Sequence, residues 1–147
     1  MNTLKLIPVF LFFTSAAVLA NTKTFYADVQ VTDMDPTSDF IWERENKNTP
    51  KYPVELARSG IRGCAVLSFN ISDSGKTENV EVINSFPKKH IGKYSRKMLK
   101  KWKWVPSATV AETTSEKRTL RLDFCMGGES TQQAEMVCKQ QAKLACG

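Results

Sequence analysis

Residues 50–106 decide the fold of this chain, and they read PKYPVELARSGIRGCAVLSFNISDSGKTENVEVINSFPKKHIGKYSRKMLKKWKWVP. Pro53 suits the first turn of a helix, where its missing N–H costs nothing. Gly60 is typical of the residue that follows a helix. The start of this stretch therefore predicts a short helix over residues 53–59.

After this helix the apolar residues recur with a period of two, which is typical of a half-buried strand. Residues 63–71 form the first such run and residues 77–85 the second, and Asp73-Ser74-Gly75 provides a hairpin turn between them. The side chains expected to face the core from the first strand are Ala65, Leu67, Phe69 and Ile71.

A helical period follows the hairpin. The apolar residues on one stripe of this helix are Ile91, Tyr94, Met98, Leu99 and Trp102. The other sides carry a cluster of cations, which we call the basic face: Lys93, Arg96, Lys97, Lys100 and Lys101. A solvated helix surface is the simplest interpretation of the basic face, and attraction to an acidic protein or an anionic surface is the alternative.

The last part of the chain predicts one more strand and one more helix. Residues 117–125 alternate, and residues 130–145 look helical with Ser130 or Thr131 as the cap. The order of elements predicts an α+β fold: a small three-stranded antiparallel sheet, two helices on one face, and a C-terminal helical extension. The last strand is expected to lie antiparallel to the first and to form one edge of the sheet.

The N-terminus is expected to direct export. Lys5 precedes an apolar run over residues 6–19, and Val18-Leu19-Ala20 fits a signal-peptidase site. Residues 1–20 therefore predict a cleaved signal peptide and a periplasmic protein, with an uncleaved inner-membrane anchor as the alternative.

The segment that follows is polar and mixed, but two parts of it are apolar. Residues 24–31 are compatible with a strand, and the run 40–42 is expected to pack on the domain. The chain has 21 basic and 15 acidic side chains and a net charge of +6, which favours acidic partners without demanding nucleic acid.

Four cysteines behind an export signal predict two disulfides, and they are Cys64, Cys125, Cys138 and Cys146. A zinc site would need closer paired spacings. Cys64 begins one strand and Cys125 ends another, which favours Cys64–Cys125 with Cys138–Cys146. The alternative bonds Cys64 or Cys125 to Cys138 and so clamps the extension onto the bare face of the sheet.

Catalysis is not expected. His90 is the only histidine and has no acidic neighbour in sequence, so a nucleophile–histidine pair is poorly supported. No glycine-rich phosphate-binding loop is present. No metal and no cofactor are predicted.

In order and spacing the stretch 50–106 resembles the C-terminal domain of TonB-family proteins, the periplasmic end of the energy transducer that works outer-membrane transporters. The residues that carry the resemblance are Tyr52, Pro53, Ala57, Gly60, Gly63, Phe69, Ile71, Gly75, Val80, Val82, Ser85, Pro87, Leu99, Trp102, Trp104 and Pro106. Most of them are turn, cap and core residues, so they specify the fold better than the function.

The resemblance implies two candidate sites for a protein partner. Tyr52 and Pro53 correspond to a pair near the receptor contact of the transducers, although packing of Tyr52 over the first helical turn is the alternative. The exposed edge of the last strand would accept a receptor segment by main-chain pairing. The residues of that edge are Leu120, Arg121, Leu122, Asp123 and Phe124.

The sequence thus predicts a signal peptide (1–20), an N-terminal segment packing on the domain (21–49), a TonB C-terminal-like domain (50–125) and a disulfide-linked helical extension (126–147). The expected function is a periplasmic protein-binding module, engaging an outer-membrane TonB-dependent receptor or another envelope protein. The alternatives are an envelope structural protein held to anionic surfaces by the basic face, and an anchored energy transducer.

Overall fold

A computed structural model describes residues 23–35 and 39–147. The elements in chain order are β1 (Gln30–Asp33), β2 (Trp42–Arg44), α1 (Val54–Arg58), β3 (Gly63–Ile71), β4 (Thr77–Phe86), α2 (Ile91–Leu99), β5 (Trp104–Pro106), β6 (Glu116–Phe124) and α3 (Thr131–Gln141). The predicted signal peptide lies outside the described residues. Among the described helices, none is long and apolar enough to cross a membrane.

The main sheet has four antiparallel strands in the order β1-β6-β3-β4. A second sheet pairs β2 with β5. The α+β class is therefore as predicted, but the main sheet has four strands and not the three that were predicted. The difference comes from the N-terminal segment, which adds β1 outside β6 and β2 beside β5.

The core lies on the predicted face of β3. Leu67, Phe69 and Ile71 are fully buried, and Phe124 of β6 is buried beside them. Burying one such side chain contributes roughly 1.5–3 kcal/mol. The alternation of apolar residues in β3 therefore specifies both the strand and the face that α1 and α2 cover.

Two helices, α1 and α2, lie on one face of the main sheet, and α3 lies on the other. Leu56 of α1 and Leu99 of α2 join the core cluster on the β3 core face. On the other face α3 lies against β6, bonded through Cys138 to Cys125. The predicted cap of α3 is confirmed, because the Ser130 Oγ accepts a hydrogen bond from the Gln133 N–H at 3.2 Å.

The hairpin turn is fixed by a close approach to β5. Gly75 has φ +76°, and a Cβ built there would lie 2.3 Å from the Trp104 carbonyl oxygen. The Trp104 N–H donates to the Gly75 carbonyl at 2.9 Å. Only glycine satisfies both the left-handed backbone and the close contact, so this position ties the β3–β4 turn to the second sheet.

Candidate functional site

The strand predicted to be a free edge is an interior strand. β6 pairs with β3 on one side and with β1 on the other. The side chains of Leu120, Arg121, Leu122, Asp123 and Phe124 are all buried. The prediction that this segment forms an exposed edge is therefore wrong, because the chain's own N-terminal segment covers it.

Main-chain hydrogen bonds hold the N-terminal segment along β6 from Thr119 to the end of the strand and beyond it. The Ala27 N–H donates to Cys125 O at 3.0 Å, and the Gly127 N–H donates to Phe25 O at 2.9 Å. At the other end the Met34 N–H donates to Thr119 O at 3.0 Å. The pairing thus extends beyond the four residues of β1 in both directions.

Val29, directly before β1, helps to hold the strand in place. The Val29 side chain is fully buried in the core, and its N–H donates to Pro50 O at 2.8 Å. Hydrogen-bonded pairs alternate along an antiparallel ladder. Since Met34 is bonded to Thr119, Thr32 opposite Arg121 is the next hydrogen-bonded pair.

The opposite edge of the main sheet, β4, is long but irregular. Its register with β3 shifts between Val66 and Leu67 and again between Ser68 and Asn70. Asn79, opposite the second shift, has φ +50°. Such bulges twist an edge and disfavour pairing with another chain. The more regular surface for strand addition is therefore the one that β1 occupies.

Beneath α3, Arg121 and Asp123 form a buried ion pair. Arg121 Nε and a terminal guanidinium nitrogen each donate to a carboxylate oxygen of Asp123 at 2.9 Å. Arg121 also donates to the carbonyl of Gln141 at 2.9 Å and to that of Leu144. A cation at the carbonyl end of a helix is favourable, so the pair fixes the end of α3.

The Gln141 side chain completes this network. Its amide donates to Asp123 at 2.9 Å and to the Gly63 carbonyl at 2.8 Å. Sequence reasoning missed this structural role. The available signal was an arginine and an aspartate two residues apart on the face of β6 that points away from the core.

The disulfides join Cys64 to Cys146 and Cys125 to Cys138. The favoured pairing, Cys64–Cys125 with Cys138–Cys146, is wrong. In the register of the sheet, Asp123 lies opposite Cys64. Cys125 is two residues farther along the chain, an offset of about 6.6 Å along the strand in addition to the spacing of about 4.8 Å between strands. The two Cα atoms are then about 8 Å apart, beyond the limit of about 7 Å for a disulfide. The alternative Cys125–Cys138 bond is present, and both bridges clamp the extension onto the sheet.

Tyr52 is a packed side chain. It is buried, its hydroxyl donates to Ile61 O at 2.7 Å, and its ring lies edge-on to Phe124 at 5.7 Å. Burial raises the pKa of the Tyr52 hydroxyl above its ordinary range, which keeps it protonated as a donor. Tyr52 is thus packed against other parts of the domain, while Pro53 is only half-buried. A role of either residue in partner contact stays a prediction.

Arg118 holds the run 40–42 on the domain. Its guanidinium lies 3.5 Å from the centre of the Phe40 ring, and it donates to Trp42 O at 2.9 Å. Glu116 Oε1 lies 2.7 Å from Arg118 Nε. The run 40–42 thus packs on the domain, where the Arg118 guanidinium lies against the rings of Phe40 and Trp104.

The basic face is exposed as predicted. The side chains at the solvent are Lys93, Arg96, Lys97, Lys100 and Lys101. Two of them, Lys97 and Lys101, border a cleft beside α2. Within residues 23–35 and 39–147 no group of three or more histidine, cysteine or acidic side chains is arranged to hold a metal ion.

Comparison with known proteins points to one family. The family model for the C-terminal domain of the Gram-negative bacterial TonB protein matches residues 48–126. The solution NMR structure of the Pseudomonas aeruginosa TonB C-terminal domain is similar in fold, with a TM-score of 0.52 and 21% identity. The likeness covers 63% of this chain and 93% of that one. No curated protein matches the chain.

Proposed function

Because the chain belongs to the TonB C-terminal family, we propose that it is a periplasmic protein-binding module of TonB-type transport. In this proposal it captures an extended segment of an envelope protein, such as an outer-membrane transporter. The module recognises that segment mainly through its backbone, and no catalytic step is involved.

The observation that carries the proposal is the strand added to β6. Residues 25–34 lie along β6 by main-chain pairing, and Val29 fills a place in the core. This is the geometry by which an extended peptide is added to a sheet, with affinity from the backbone and selectivity from alternate side chains. It supports a β6 surface that binds extended segments.

The same observation sets a condition on binding. A partner segment that pairs with β6 must first displace β1, because both would use the same backbone groups. A covalently attached strand competes at an effective concentration in the millimolar range. A partner therefore needs either a high affinity or a step that releases β1.

The proposal is tested by photo-crosslinking in Gram-negative cells. A photoreactive residue replaces Lys117, which is exposed at the start of β6, and adducts are identified by mass spectrometry. We expect adducts with an outer-membrane transporter, and more of them when Thr32→Pro weakens β1 than with Thr32→Val. Adducts confined to lipid or cell-wall polymer would contradict the proposal.

A further inference from the structure

A cleft beside α2 forms a second surface suited to a ligand. It has a volume of about 730 Å³ and lies between α2 and the chain around residues 44–55. No residue of β6 lines it. An inference about this cleft therefore goes beyond the proposed use of the β6 edge.

The floor of the cleft is apolar. Tyr94, Met98 and Trp102 follow one another at four-residue spacing and are half-buried. Each packs partly against the core cluster and lines the cleft as well. Aromatic and methionine side chains at such places are typical anchors for one apolar side chain of a partner.

The rim of the cleft is cationic, and two of its lysines lack carboxylate partners. Neither Lys97 nor Lys101 makes an ion pair with any part of the chain that the structure describes. Lys97 lies in the last turn of α2 and Lys101 two residues beyond its end, so two like charges border the same cleft and repel each other. An acidic ligand placed between them would remove this repulsion.

Arg44 adds a third cation that is partly desolvated. Its guanidinium stacks over the Trp102 ring at 4.6 Å and donates to the Asn48 carbonyl at 2.9 Å. Burial lowers the pKa of Arg44 from its usual value. No ion pair to Arg44 is found among the described residues. A carboxylate of a ligand would offset the cost of burying this charge.

We propose that this cleft binds an extended acidic segment of a protein partner. One apolar side chain of the segment contacts Met98 and Trp102, and flanking carboxylates contact Arg44 and the two lysines. Glu45 and Glu55 also line the cleft. They repel a uniformly anionic polymer or membrane surface, whereas a peptide places its charges at separate points.

The test uses the purified full chain and a fluorescein-labelled peptide, Gly-Glu-Glu-Leu-Glu-Glu-Gly, at physiological salt. Lys97→Glu with Lys101→Glu removes two ion pairs worth roughly 0.2–1 kcal/mol each and places two carboxylates that repel the acidic peptide, so the affinity should fall about tenfold. The matched control is Lys88→Glu with Lys89→Glu. It changes the charge equally but lies outside the lining of the cleft, and the affinity should fall less than about threefold.

Two further measurements test the contribution of the apolar floor and whether the ligand is a peptide or a lipid surface. Replacing the leucine of the peptide by glycine should weaken binding, and Met98→Ser should remove most of that difference. The inference is overturned if both lysine pairs weaken binding equally, if the leucine has no effect, or if phosphatidylglycerol vesicles bind while the peptide does not. None of these outcomes involves β1 or β6, so failure here is distinguishable from failure of the proposed function.

Discussion

At the scale of single residues, the buried pair of Arg121 and Asp123 joins the sheet to the extension. The two side chains bond to each other and, through Gln141, to the end of α3. A charge on an edge strand and a charge in a buried pair look identical in sequence. Only the positions of β1, which covers the edge, and α3, which covers the face, distinguish the two cases, and neither position can be read from the residues of β6.

Asp123→Ala should destabilise the protein by about 3 kcal/mol, because it leaves Arg121 buried without a counter-ion. Urea unfolding of the oxidised protein measures this loss. Glu43→Ala, which removes an exposed partner of Lys47, is the matched control and should leave stability nearly unchanged. Equal losses in the two variants would show that the Arg121 pair has no special role.

At the scale of elements, the sequence predicted those strands, turns and helices whose pattern lies within a few neighbouring residues. Three such patterns are present in the structure. They are the alternation of apolar residues in β3, the glycine turn at Gly75 and the apolar stripe of α2. β1 has only four residues and β2 only three. Such strands are stabilised by their pairing partners, so the sequence around them gave little indication of where they would pair.

The disulfide pairing was mispredicted for a related reason. The favoured pairing assumed that Cys64 and Cys125 meet across the sheet, but the register places Asp123 opposite Cys64. Register depends on the whole β3–β6 ladder and cannot be read from the ends of two strands. The general inference of two disulfide bridges agrees with the structure.

Removing either bridge should destabilise the fold, and the longer loop should matter more. Cys125 and Cys138 close a loop of 13 residues, and Cys64 and Cys146 one of 82. Paired serine substitutions should cost about 3 kcal/mol for the short loop and about 4.5 kcal/mol for the long one. Urea unfolding of each double variant tests this order, and a larger loss for the short loop would contradict it.

At the scale of the whole molecule, the protein is a family domain with additions on two sides. The N-terminal segment covers β6 with β1, and the C-terminal segment covers the bare sheet face with α3. The domain itself was predictable because its core and turn residues are specific. The additions cover surfaces that a partner would otherwise reach. They are also the parts of the fold that were predicted least well from the sequence.

The central claim is that β6 accepts an extended segment and that β1 holds this place in the free protein. The most direct test measures binding of a labelled synthetic peptide of residues 24–35, TFYADVQVTDMD, to full chains. Thr32→Pro removes an N–H that pairs with β6, and Thr32→Val keeps it. Circular dichroism and thiol titration should show that both variants keep their helices and disulfides.

We expect the peptide to bind Thr32→Pro at least about tenfold more tightly than Thr32→Val, since an occupied site lowers the apparent affinity by its free fraction. Cross-peaks between backbone amides of β6 and the bound peptide should then appear in NMR spectra. Folded Thr32→Pro protein that fails to bind the peptide would contradict the account, and so would equal binding by both variants.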